Sequence, residues 1–174
     1  IYVGEQPGTF ENYTLVARVP VGSLSDPNIL WEFYTNNNTW STDYSNAKRI
    51  LAGAVAGSVV KLGPNNYAMS AVPNLSLELA VWFATSPVGP WVNKTVVYNI
   101  PGEEGMLPYE GHIDKGSGKN GIYTLSYSVY PFSGLVPQQR SDKGIYIPYY
   151  AKANLLQLSP FTNQVNNKPV AADN

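Results

Sequence analysis

Apolar residues recur along this chain in short alternating runs, and Gly, Pro or Asn closes each run before it reaches helical length. Period-two alternation between such breakers predicts half-buried β-strands. Ile1–Val3 opens with a short apolar strand, and Tyr13–Val19 (YTLVARV) alternates until Pro20 stops it. Leu30–Tyr34 is followed by the polar turn Thr35–Thr39 and then Trp40. Ser58–Leu62 turns through Gly63-Pro64-Asn65-Asn66 into Tyr67–Val72. Leu77–Thr85 (LELAVWFAT) ends at Ser86-Pro87, and Thr95–Tyr98 follows the turn at Pro90-Trp91. His112–Asp114, a Gly-rich turn over Lys115–Gly121, Ile122–Val129 and a final strand at Asn154–Leu158 complete the set. The most helix-like stretch, Ser45–Ala56, is interrupted by Gly53, ends against Gly57 and has no capping pattern.

The strands fall into three groups, near 1–50, 58–98 and 109–160. Repetition at roughly 50 residues is the spacing of propeller blades, each a small antiparallel meander. A two-layer sandwich would also use regular short strands. The blade reading is favoured by the aromatic residues that end the groups, Trp31 and Trp40 in the first and Trp91 in the second, which suit wedges between neighbouring sheets. The expectation is an all-β chain supplying about three blades of a five-bladed β-propeller over residues 1–162. A polar tail spans 163–174.

Composition narrows the function. The 174 residues are 44% hydrophobic and only 13% charged, about half the ordinary charged share. Disorder needs the reverse balance. Net charge is −1, and no basic run exceeds Lys48-Arg49, which argues against nucleic acid as a partner. No apolar run approaches the about 20 residues of a membrane helix, so no membrane partner is expected. Without cysteine there are no disulfides and no thiolate metal sites. Starting at Ile1 rather than Met is expected of a processed product or a fragment. Four glycosylation sequons begin at Asn12, Asn37, Asn74 and Asn93, each in or beside an expected turn, and point to a secreted, extracellular glycoprotein.

Several blocks carry a family resemblance. Ala17-Arg18-Val19-Pro20, then Trp31-Glu32-Phe33-Tyr34, Trp40-Ser41 and Asp43, resembles a block in the DUF4185 family. Ser58-Val59-Val60 with Tyr67, and Ser86-Pro87-Val88-Gly89-Pro90-Trp91, resembles the next block of that family. The second ending is also similar to one in arabinanase-type and fructosidase-type five-bladed glycoside hydrolases. Tyr109-Glu110-Gly111-His112 with Leu125-Ser126-Tyr127-Ser128 looks like the closing block. The resemblance implies a glycoside hydrolase acting on furanose-containing polysaccharide. Its main catalytic acids would lie on earlier blades, supplied by an upstream propeller fragment or a companion chain. The alternative is a propeller module that binds carbohydrate, or assembles with partners, without catalysis.

Glycoside hydrolysis needs two facing carboxyl groups. Near the expected inner strands stand Glu5, Glu110 and Asp114, of which Glu5 and Glu110 are the catalytic candidates. Glu5 can equally be a solvated loop residue before Gln6-Pro7-Gly8. Gly111 would let backbone approach a ligand closely. The sole histidine, His112, would bind substrate hydroxyls, tune a neighbouring carboxylate or hold an axial water; the other reading is a structural residue closing the last blade. Arg18 sits in an alternating strand and either pairs with Glu32 or Asp43 or clamps a sugar. Trp82 reads as core. Scattered acids and one His give no metal-ligand spacing, so no cofactor or protein-built metal site is expected, apart from an axial calcium held by waters and carbonyls.

Overall fold

A computed structural model describes residues 2–5, 12–54, 57–102, 106–131 and 148–162. The tail expected at 163–174 lies outside the described residues. Three antiparallel sheets account for all the strands described.

The first sheet contains β1 (Tyr2–Glu5), β2 (Tyr13–Arg18), β3 (Glu32–Tyr34), β4 (Trp40–Ser41) and β5 (Leu51–Ala52). β1 pairs along one edge of β2 from Tyr13 to Val16. The other edge is shared: β5 takes Tyr13 and Thr14, and β3 takes Ala17 and Arg18. The second sheet is a four-stranded meander of β6 (Gly57–Gly63), β7 (Asn66–Ala71), β8 (Glu78–Ala84) and β9 (Val92–Asn99). The third joins β10 (Met106–Ile113), β11 (Ile122–Pro131) and β12 (Tyr149–Asn154). These groups match the three expected from the sequence.

The second sheet lies between the other two, and β8 shows why. Its residues point alternately to opposite faces. Leu79, Val81 and Phe83 enter a core shared with Ile113, Tyr123, Leu125 and Tyr127 of the third sheet. Ala80, Trp82 and Ala84 enter a second core with Ala54, Trp91 and the half-buried Tyr2 and Leu51 of the first. A strand buried on both faces must be apolar at every position, and LAVWFA meets that requirement. Trp82 is core, as expected, and Trp91 packs edge-on to Tyr2 between the same two sheets.

Two boundaries differ from the sequence reading. The strand expected at His112–Asp114 is the end of a longer one starting at Met106. Pro108 hides it in the sequence; β10 is a sheet edge, where a missing N–H forfeits no ladder bond. The strand expected over Asn154–Leu158 runs instead from Tyr149 to Asn154 and gives way to a helical turn, α1 (Leu155–Leu158). The Asn154 side chain causes the change by accepting the Gln157 N–H at 3.0 Å, an N-cap.

Candidate functional site

β10 carries the local irregularity around which the site is built. Its pairing with β11 shifts register between Tyr109 and His112, a β-bulge. Within the bulge Glu110 has φ +57°, the left-handed region. Among the described residues the other non-glycine positions with positive φ, at 38, 65, 74, 93 and 120, are all asparagine. Asparagine tolerates that conformation through local hydrogen bonds, whereas a long side chain gains nothing there. Glu110 therefore carries the left-handed turn of the bulge at a steric cost that glycine would avoid. Its carboxylate reaches the ring of His112, with Oε2 3.0 Å from Nε2, and both side chains are partly exposed.

Gly111 between them has a different task from the ligand approach expected of it. A Cβ at this position would stand 2.7 Å from Cα and C of Ala71. The missing side chain lets β10 lie directly on β7. The Ser70 hydroxyl donates to the Gly111 carbonyl at 2.6 Å, and the Ile113 N–H donates to Ser58 Oγ at 2.5 Å. Two hydroxyls thus stitch the second sheet to the third on either side of His112.

That stitching brings His112 to the wall of a cleft of about 110 Å³ where all three sheets meet. The first sheet contributes Tyr2 and Thr14, and the second contributes Gly57, Val59, Met69 and Ala71. Thr14 donates its hydroxyl to the Ala54 carbonyl at 2.6 Å, and Tyr2 donates to the Pro87 carbonyl at 2.7 Å. Burial pushes the Tyr2 hydroxyl up to about 12, helped by Tyr67, so it remains a neutral donor. These walls are apolar or internally satisfied, and His112, bonded to Glu110, is the residue that the third sheet adds to them.

The other sequence candidates are spread around the molecule. Glu5 ends β1 opposite Tyr13, and its side chain lies outside the described residues. Arg18 ends β2, four residues beyond Thr14; its Nε donates to Glu32 at 2.8 Å and its guanidinium lies 4.3 Å over the Trp40 ring. Asp114 caps a 3-10 turn by accepting the Gly116 N–H. Asn37 and Asn93 are exposed, in the turn after Thr35 and on β9. Asn74 is exposed too, yet a methyl group on Gly53 would come within 3.0 Å of its amide nitrogen. Asn12 is half-buried, with Oδ1 shielded from solvent and unpartnered. Sequence reasoning missed Tyr2, Thr14 and the Ser70–Gly111 stitch, because no local signal links residues so far apart in the chain. Among the described residues, no three His, Cys, Asp or Glu side chains cluster as a metal would need, and no helix is long and apolar enough to cross a membrane.

Fold and site together define a three-sheet all-β protein with a bulge-held carboxylate–imidazole pair at the sheets' meeting point. The chain belongs to the family of domain of unknown function DUF5005, whose pattern matches residues 1–152. This corrects the DUF4185 resemblance: the short blocks that suggested it are also compatible with another family. No curated protein matches the chain. Among solved structures, it resembles a protein from Bacteroides ovatus ATCC 8483, crystallised at 2.80 Å resolution and described as a hydrolase candidate. That likeness has a TM-score of 0.64 over 92% of this chain, at 18% identity. The chain spans 46% of that protein's length. At such identity the likeness is one of fold.

Proposed function

We propose that this chain is part of a secreted, carbohydrate-active β-propeller of the glycoside hydrolase kind, in which Glu110 and His112 face the substrate. Glu110 carries the reading. A glutamate held in a conformation that costs about 1–2 kcal/mol, paired with the chain's one histidine at the edge of a cleft, is what a retained functional residue looks like. The stacking of three meanders, with their cleft-lining strands converging on that cleft, supports a propeller arrangement of about three blades in a ring of five. The far face of the third sheet carries exposed Tyr109, Ile122 and Tyr150, where a further blade from an upstream fragment or companion chain would stack.

In this reading Glu110 is one of the two carboxyl groups that glycoside hydrolysis requires, and a remaining blade supplies the other. One carboxylic acid gives its proton to the glycosidic oxygen as the anomeric C–O bond breaks. The other attacks the anomeric carbon, or takes a proton from the water that does so. The His112 ring fixes the Glu110 carboxylate through its 3.0 Å contact. The hydrolase description of the Bacteroides ovatus protein is consistent with the reaction class. The furanose preference rests on the sequence blocks.

The test is reducing-sugar release by the complete protein from arabinan and from pyranose polysaccharides. Glu110→Gln is expected to slow release about 100-fold or more, the scale of a lost acid–base group. Release by the variant at the unaltered rate would remove Glu110 from the reaction. A non-catalytic carbohydrate-binding module is the second reading. It is favoured by the solitary position of Glu110: it is the one described acid bonded to a residue of the cleft wall. Binding of polysaccharide with no product from the complete protein would select it.

A further inference from the structure

The outer rims of the second and third sheets run side by side, with β9 the edge strand of one and β12 the edge strand of the other. Between them, where α1 turns off the end of β12, lies a groove of about 410 Å³ lined by Val96, Val97, Ala153, Asn154, Gln157 and Leu158. Alternation puts Tyr149, Ala151 and Ala153 on one face of β12. The packing agrees: Ala151 and Ala153 lie on the core shared by the two sheets, and Tyr149 stacks on Tyr127. From Tyr149 to Ala153 the strand advances about 13 Å. The two alanines keep the floor of this stretch low, so the groove extends along β12 as a trough.

One end of the trough is closed by a ladder of near-parallel rings. Tyr98 on β9, Tyr127 on β11 and Tyr149 on β12 stand with centroids 5.8 and 5.4 Å apart, at interplanar angles of 29° and 16°. Tyr127 is the buried middle rung, whereas Tyr149 is 42% exposed. Among the described residues Tyr127 is the one ring that Tyr149 meets, so the other face of this end rung is open to a further flat apolar face. At the far end Asn154 commits its Oδ1 to the α1 cap and keeps its amide N–H groups. Gln157 is exposed, and its side chain makes no bond among the described residues. No Lys, Arg, Asp or Glu lines the groove. Lys152 alternates to the opposite face of β12, and Lys94 is held on Glu78. A carboxylate buried here would lose its water without gaining a partner. An open ring face, apolar walls and amide groups suit the flat side and the hydroxyls of an uncharged sugar.

We propose that this trough binds a neutral polysaccharide chain, apart from the cleft at His112. One sugar ring stacks on the open face of Tyr149, and the chain passes over Ala151 and Ala153 towards Leu158. Gln157 and the Asn154 amide nitrogen bond its hydroxyls. The site stands on its own geometry and holds whether or not Glu110 takes part in hydrolysis.

The experiment is a titration of the full chain, isotope-labelled and followed by amide NMR, with galactan, xylan and arabinan oligomers of equal length and with oligogalacturonide as the acidic counterpart. At least one neutral oligomer is expected to bind saturably and to move the signals of Ala151, Ala153 and the Gln157 side chain. Oligogalacturonide should bind about tenfold more weakly or worse, since its carboxylates find no partner. Affinity for the neutral oligomer should not change with salt. Tyr149→Ala should weaken it about tenfold and Tyr149→Phe should leave it nearly unchanged, the pattern of a stacked ring. Gln157→Ala, at an exposed position, should cost a few-fold. Absence of saturable binding by all three neutral oligomers overturns the assignment on the natural protein, with no variant needed. So does movement confined to signals around Thr14 and His112, which report the cleft separately. Tighter binding of oligogalacturonide would overturn the neutral character of the site. Self-association of the unliganded chain through the same signals would give the trough to a second copy instead.

Discussion

Replacing Glu110 by glycine should make this protein more stable than replacing it by alanine, against the usual order. An L-residue with a Cβ in the left-handed region pays about 1–2 kcal/mol. Glycine pays nothing there, but gives up about 0.5–1 kcal/mol in added freedom of the unfolded chain. Taken at the middle of those ranges, the difference favours Glu110→Gly over Glu110→Ala by about 0.75 kcal/mol. Both variants lose the contact to His112 equally, so that term cancels between them. It is small in any case: the two side chains are 37% and 49% exposed, and an exposed pair is worth about 0–1 kcal/mol. In urea, with a slope of about 2 kcal/mol/M, the midpoints should differ by roughly 0.4 M at unchanged slope. Glu110→Asn should fall between them, because asparagine already occupies the other described non-glycine positions of positive φ. If the alanine variant equals or exceeds the glycine variant, the backbone is not strained at Glu110, and the functional reading loses its support. The stabilised glycine variant should also lose whatever activity the cleft has, the trade-off expected where strain serves a site.

Two further outcomes follow from the packing. Gly111→Ala should cost about 3 kcal/mol: about 1–3 from forcing a Cβ against the Ala71 backbone and about 1 from the buried Ser70–Gly111 bond. Thermal melting should then fall by about 6–12 °C, and Ser70→Ala should cost less in the Gly111→Ala background than alone, since both break one contact. Tyr127 is stacked between Tyr98 and Tyr149, at ring distances of 5.8 and 5.4 Å, and burial pushes its hydroxyl up to about 12. The neutral form is favoured in the folded state, so its contribution is complete below pH about 10 and is lost as pH rises towards 12. Urea midpoints should decline through that window, and Tyr127→Phe should flatten the decline; an unaltered slope in the variant would refute the assignment.

The strands were legible because each sheet is made of sequence neighbours, so alternation and turn residues are local signals. β8 could be read directly, its unbroken apolar run being the mark of a strand with no solvent face. β10 was half hidden, because Pro108 and Gly111 weaken a strand pattern while the edge position and the close approach to Ala71 are tertiary facts. The pairing of Glu110 with His112 was suggested by their spacing around a glycine. The left-handed backbone at Glu110 was not, since nothing in the residue type announces it. Arg18 was read both as a sugar clamp and as a structural partner, and the structure places it on Glu32 and Trp40. The cleft itself was beyond sequence reach: Tyr2, Thr14, Met69 and His112 come together only once the sheets stack.

Because β8 feeds both cores, the middle meander cannot loosen without disturbing the material on its two sides. The molecule should consequently lose its structure in one concerted step and not by peeling layers in turn, with the slowest amide exchange concentrated at Leu79 to Phe83. Evolutionary drift would then be channelled to the rims and connecting turns, leaving this central ribbon as the part that relatives can least afford to vary.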